Sequence, residues 1–202
     1  MQIITSAWTQ LAQHAFSKRV ENIESLERER HIQDVLVRLF VSKCGVRENP
    51  TLGKLYEELA SLGLNVYLVQ EDTPGDGTKG AAKLRADVSV YVEDTPDGRE
   101  PVLRQLVDVG PPKNRDLPSP DHRKLQRLRN NADSRRKAAT AWLATIIELK
   151  IKQTTAKKLK KQVIRYASQY RLLLGIESMC ALGVVIEPDA REAVSATFWW
   201  FA

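Results

Sequence analysis

The chain carries only two cysteines, Cys44 and Cys180, and three histidines in 202 residues. Two cysteines so far apart make no disulfide framework and no metal-ligand spacing. We read them as core or free thiols in a reducing compartment. His14, His31 and His122 are scattered and form no zinc motif. No segment approaches the ~18 apolar residues of a membrane span. Residues 1–16 are interrupted by Gln2, Thr9, Gln10, Gln13 and His14, with neither a basic leader nor an apolar run of signal length. The expectation is an intracellular protein, cytoplasmic or nuclear, that does not span a membrane. A Gly-x-Ser-x-Gly elbow is missing, which argues against that type of hydrolase triad. Gly75-Asp76-Gly77-Thr78-Lys79-Gly80 lacks the Walker spacing and the Gly-Lys-Ser/Thr ending, and reads as a hairpin loop. Aromatics are sparse at 6%, yet Phe198-Trp199-Trp200-Phe201 gathers four of them, as an edge strand on the core or an interface. Neither internal repeats nor low-complexity tracts occur.

What is present is an ordinary globular balance, 43% hydrophobic and 28% charged, with a net charge of +6. The length suits one domain with a real core, and the balance is that of a soluble protein. A pI of about 9.4 favours an anionic partner, nucleic acid first. The cations are clustered. Arg123, Lys124, Arg127, Arg129, Arg135, Arg136 and Lys137 have only Asp133 among them as an acid, which makes a case for phosphate binding. Lys157, Lys158, Lys160 and Lys161 form a second run, read as a solvated helix face, a phosphate contact or a nuclear import signal.

Periodicity divides the chain. Ile32, Val35, Leu36, Leu39 and Phe40 recur at helical spacing and predict a helix over 22–42. Gly45 and Asn49-Pro50 end it, and Thr51 caps a second helix that runs to Gly63. The period then changes to two. Strands are expected at 65–69, 85–92 and 102–109, with turns at 73–77 and 95–98. On the second of these, Ala86, Val88, Val90 and Val92 face one way, and Arg85, Asp87, Ser89 and Tyr91 the other. Prolines bracket a loop at 111–120, and 122–137 reads as a helix or a basic insertion. A strand at 144–151 precedes a helix over 155–174, whose core stripe is Leu159, Val163, Tyr170, Leu173 and Leu174. Gly175 caps it, and 179–186 is a last buried strand. The domain reading is therefore a single unit, 1–202. It has a helical part at 1–63, a core at 64–186 with an insertion at 110–140, and an aromatic end at 187–202.

One stretch carries chemistry. In Ile146-Ile147-Glu148-Leu149-Lys150, residues two apart share a strand face, so Glu148 and Lys150 stand with Ile146 while Ile147 and Leu149 point away. A carboxylate beside an ammonium on a rigid strand can bind a metal and position a nucleophile. The bland alternative is a cross-strand ion pair on a solvated face.

A strand with Asp87, a strand with Glu148-x-Lys150, a helix with Gln162-x-x-x-Tyr166 and a further strand follow in that order. This resembles the PD-(D/E)xK, or restriction-endonuclease-like, nuclease superfamily. The resemblance covers mainly 84–186 and implies an α/β fold, a mixed central sheet flanked by helices. It implies a magnesium-dependent nuclease, a hydrolase of phosphodiester bonds, with DNA the favoured substrate and manganese able to substitute. Asp87 would be the motif aspartate, preceded here by Ala86 where the family has proline. Glu148 would be the second acid, Lys150 the lysine, and the Leu149 carbonyl a further metal ligand. Gln162 would be a catalytic glutamine and Tyr166 a nucleic-acid contact, as in recombination-type members. Arg123, Lys124, Arg127, Arg135 and Arg136 would hold the backbone. Glu29 is a candidate early acid. About sixty residues separate Asp87 from Glu148, more than members usually have, and they include Asp108, a rival aspartate. The alternative is an inactive nucleic-acid-binding or interaction module on the same fold. Partners beyond nucleic acid would be a second copy or a larger parent protein.

Overall fold

The changes of period become six strands and, in the second half, two helices in the computed structural model. It describes residues 33–34, 37, 57–73, 85–96, 98–107, 118–132, 140–151, 156–176, 179–188 and 194–201. The strands are β1 (Leu64–Asp72), β2 (Ala86–Asp94), β3 (Leu103–Leu106), β4 (Ala141–Ile151), β5 (Cys180–Pro188) and β6 (Val194–Phe201). They form one mixed sheet in the order β3-β1-β2-β4-β5-β6. β1 is parallel to β3 and antiparallel to β2; β4 is antiparallel to β2 and parallel to β5; β5 is antiparallel to β6. The helices are α1 (Pro120–Asn131) and α2 (Ala156–Leu174). The fold is mixed α/β, a central mixed sheet flanked by helices. Of the two helices expected in the first 63 residues, Gln33, Asp34, Val37 and residues 57–61 are helical, and the remainder lies outside the described residues. No helix among the described residues is long and apolar enough to cross a membrane.

The register explains which face is which. Tyr67 pairs with Tyr91, and Tyr91 with Leu143, so one face carries Tyr67, Val69, Tyr91 and Leu143. Between Val90 and Tyr91 the β2–β4 register slips by one residue, since Val90 faces Thr145 while Tyr91 faces Leu143. A bulge of this kind changes which side chains follow on a face. It lets Ala141, Leu143 and Ile146 join one core with Leu125 and Leu128 of α1 and Leu159, Val163, Tyr166, Tyr170 and Leu174 of α2. Glu148 and Lys150, in step with Ile146, therefore face the helices. The polar side of β2 is not solvated: Ser89 and Tyr91 are both fully buried because the helices cover them.

Local chemistry sets the helix ends and positions. Ser119 caps α1, its Oγ accepting from the His122 N–H at 3.0 Å, with Pro120 in the first turn. β3 stops at Leu106, short of the expected 109, where the Val107 N–H turns to Asp121 Oδ2 of α1 at 3.2 Å. On α2 the buried positions are 159, 163, 166, 170 and 174. Leu173, expected in the stripe, is instead 41% exposed, because it falls on the Gln162 side of the helix, away from the stripe's centre. Tyr166 takes its place.

α2 lies against β5 at Gly183, where an added Cβ would stand 2.9 Å from Leu159 Cδ2 and 3.5 Å from Val163 Cγ2. Leu159 and Val163 are fully buried, so making room would shift side chains inside the packed core. Gly183→Ala should therefore cost about 1–3 kcal/mol, read by urea denaturation, as overpacking does.

At the end of β1 a buried polar knot ties both helices to the sheet. The fully buried Asp72 pairs with Arg129 of α1 and accepts from Tyr91 OH at 2.9 Å. Tyr170 OH of α2 donates to the Asp72 carbonyl at 2.6 Å and accepts the Ala86 N–H at 3.2 Å. Burial, and next the Asp72 charge, push both tyrosines well above their usual 10.0. Above pH 10 the unfolded chain loses these protons and the folded chain keeps them. Stability, intact below that point, should then fall as pH rises, by about 1.4 kcal/mol per pH unit for each tyrosine. Stability measured from pH 9 to 12 should show this slope for wild type and a shallower one for Tyr91→Phe.

Candidate functional site

Asp87 is the second residue of β2, directly after the Ala86 held by Tyr170. The β2–β4 ladder closes with Val88 opposite Ile147, while β4 runs on beside β5 to Ile151. In the opening this leaves, the Asp87 carboxylate takes over the pairing. Its Oδ2 accepts the Leu149 N–H at 2.6 Å, and its Oδ1 accepts from Gln33 Nε2 at 2.8 Å. Sixty-two residues of sequence separation are closed by that one bond.

Glu148 and Lys150 complete the group. Lys150 Nζ lies 3.0 Å from Glu148 Oε1, donates to the Leu149 carbonyl at 2.9 Å, and stands 3.9 Å from Asp87 Oδ2. Gln162 Nε2 of α2 donates to Glu148 Oε1 as well. Side-chain exposure grades outward, from 4% for Glu148 through 13% for Asp87 to 19% for Lys150. The pair is thus no solvated surface ion pair.

Three oxygens, from Asp87, Glu148 and Leu149, converge on one cation, the ammonium of Lys150. Hard oxygen donors of this kind are what magnesium and manganese take. The donor set therefore fits a divalent ion held by Asp87, Glu148 and the Leu149 carbonyl. Among the described residues no group of three or more His, Cys, Asp or Glu gathers. Asp108 and Glu29 lie outside the described residues.

The structure brings together Asp87, Glu148, Leu149, Lys150 and Gln162, all anticipated from sequence. It adds Gln33, which sequence reasoning missed. The one available signal was its place four residues after Glu29, the candidate early acid.

The expected nucleic-acid contacts are placed differently. Tyr166 is 9% exposed and packed in the core, with the Arg165 guanidinium 5.3 Å from its ring centroid. Arg123 and Arg127 are exposed on α1. Lys124 pairs with Glu93 and lies 4.6 Å over the Tyr67 ring. Glu93 is opposite Ala141, at the other end of β2 from Asp87, about 20 Å away at ~3.3 Å per residue. A cleft of about 480 Å³ lies there, lined by Tyr67, Glu93, Arg99, Lys124 and Arg127 among others. Arg129, counted within the basic run, is the buried partner of Asp72. Arg135 and Arg136 lie outside the described residues.

Comparison with known protein families, with curated proteins and with solved structures finds no match.

Proposed function

We propose that the chain is a metal-dependent nuclease that hydrolyses phosphodiester bonds, DNA first, on a restriction-endonuclease-like fold. The observation that carries this reading is the convergence of two carboxylates, a carbonyl and an ammonium at the end of β2 and β4, with an amide from α2 behind them. Asp87, Glu148 and the Leu149 carbonyl would hold magnesium or manganese. When bound, the ion would acidify a water and neutralise charge on the phosphate.

The protein's own groups do the rest. Gln162 fixes the Glu148 carboxylate through Oε1, and the Leu149 N–H and Gln33 fix both oxygens of Asp87. Held in this way, the carboxylates need little rearrangement as charge develops. Lys150 is the outermost of the three side chains, so its ammonium is the group that meets the substrate. It would hold the attacking water and offset negative charge on the phosphate in the transition state. The recessed Glu148 limits competing water.

The test is cleavage of plasmid and single-stranded DNA with magnesium or manganese, wild type beside Lys150→Ala. Cutting by wild type alone supports the reading, and equal cutting by both overturns it. The second reading, an inactive nucleic-acid-binding module, is favoured by the net charge of +6, which binding alone would use. It predicts no cutting by either protein and salt-sensitive binding by both.

A further inference from the structure

The nuclease reading leaves open which surface takes the nucleic acid, because Lys124 and Arg127 of α1 stand by Glu93, at the far end of β2 from Asp87, and Arg129 is buried against Asp72. Among the described residues, α2 sets a row of exposed cations beside the site. Lys158 lies four residues before Gln162 and Arg165 three after it, spacings that put all three on one side of the helix. Lys161, three after Lys158 and four before Arg165, continues the same stripe. All three cations are exposed, whereas Leu159, Val163 and Tyr166 on the neighbouring side are buried. Gln162 itself bonds Glu148, so the stripe begins at the rim of the candidate site.

This placement works against the helix. α2 has no acid in its first turn, where the macrodipole favours one, and Lys158 stands there instead. Lys161 and Arg165 are like charges at i and i+4, a pairing that weakens a helix. An anionic partner along this side would offset the repulsion between Lys161 and Arg165. Resting on the nuclease reading, we infer that Lys158, Lys161 and Arg165 are the rail that holds the phosphate backbone of the substrate and leads it to Glu148 and Lys150. Arg165 is steadied on the Tyr166 ring and offers the planar donor fork suited to phosphate.

The experiment is fluorescence anisotropy on a short duplex and its single strand, with chelator present so that no cleavage occurs, over a series of salt concentrations. The proteins are wild type, Lys158→Gln/Lys161→Gln/Arg165→Gln and Arg123→Gln/Arg127→Gln. The α2 triple variant should bind at least about tenfold more weakly at low salt, and its log K against log salt slope for duplex should be shallower by roughly 2–3, since each phosphate contact contributes ~0.9. It should stay folded and melt near wild type, because the three side chains are exposed and the Lys161–Arg165 repulsion is removed. The α1 variant should bind the short duplex as wild type does. Wild-type affinity and slope in the α2 variant would overturn the rail, as would loss confined to the α1 variant or an absence of binding by wild type. Binding through the rail without metal-dependent cleavage would instead overturn the nuclease reading and leave the rail standing.

Discussion

Lys150→Ala should lower metal-dependent cleavage by about 100- to 1000-fold, the effect of losing one preorganised charge aimed at the transition state. Glu148→Ala should do at least as much. The argument is geometric. Lys150 Nζ is the common neighbour of Glu148 Oε1, the Leu149 carbonyl and Asp87 Oδ2. Deleting it removes, among the described residues, the cation that Asp87 and Glu148 share. The metal-free variant should therefore be less stable than wild type, and added manganese should raise its melting temperature more than that of wild type. A structural role for Lys150 predicts the stability loss alone. Loss of cleavage together with an enlarged manganese shift separates the two, and an unchanged rate would discard the assignment.

Much of this site was legible because it obeys a local rule. Alternation along 146–150 put Glu148 and Lys150 on the face of Ile146, and helical spacing gave α2 its stripe of Leu159 and Val163, while Asp87 and Gln162 came from the resemblance alone. Both patterns rest on neighbours within a few residues. What sequence could not show depends on partners far along the chain. The slip opposite Val90 and Tyr91 keeps Glu148 on the helix-covered face, and nothing in Ala141–Ile151 announces it. Gln33 reaches Asp87 across 54 residues, and Arg129 reaches Asp72 across 57. Arg129 shows the limit most clearly. In a run of seven cations it looks like its neighbours, but it is four residues after the buried Leu125 of α1 and three before the buried Ala132 that caps it, and so turns inward. Leu173 erred the opposite way, an apolar residue next to the stripe but not on it.

Arg129→Met should destabilise the fold by about 3–5 kcal/mol, because it leaves the fully buried Asp72 charge without its cation. In a domain of this size that lowers the melting temperature by roughly 10 °C or more. The pair is not valuable simply for being ionic. Two buried charges cost several kcal/mol to desolvate, and an apolar replacement of both is often no worse. Asp72→Asn/Arg129→Met should then recover most of the loss, with the Asn side chain still accepting from Tyr91 OH. What the ion pair adds is location. Asp72 is opposite Ala86 in the ladder, its carbonyl holds Tyr170, and Tyr170 holds the Ala86 N–H one residue before Asp87. The double variant, though refolded to near wild-type stability by urea denaturation, should cleave more slowly and need more manganese for half-maximal rate. Full activity at restored stability would mean that the knot serves the fold alone and that Asp87 is positioned by Leu149 and Gln33 without it.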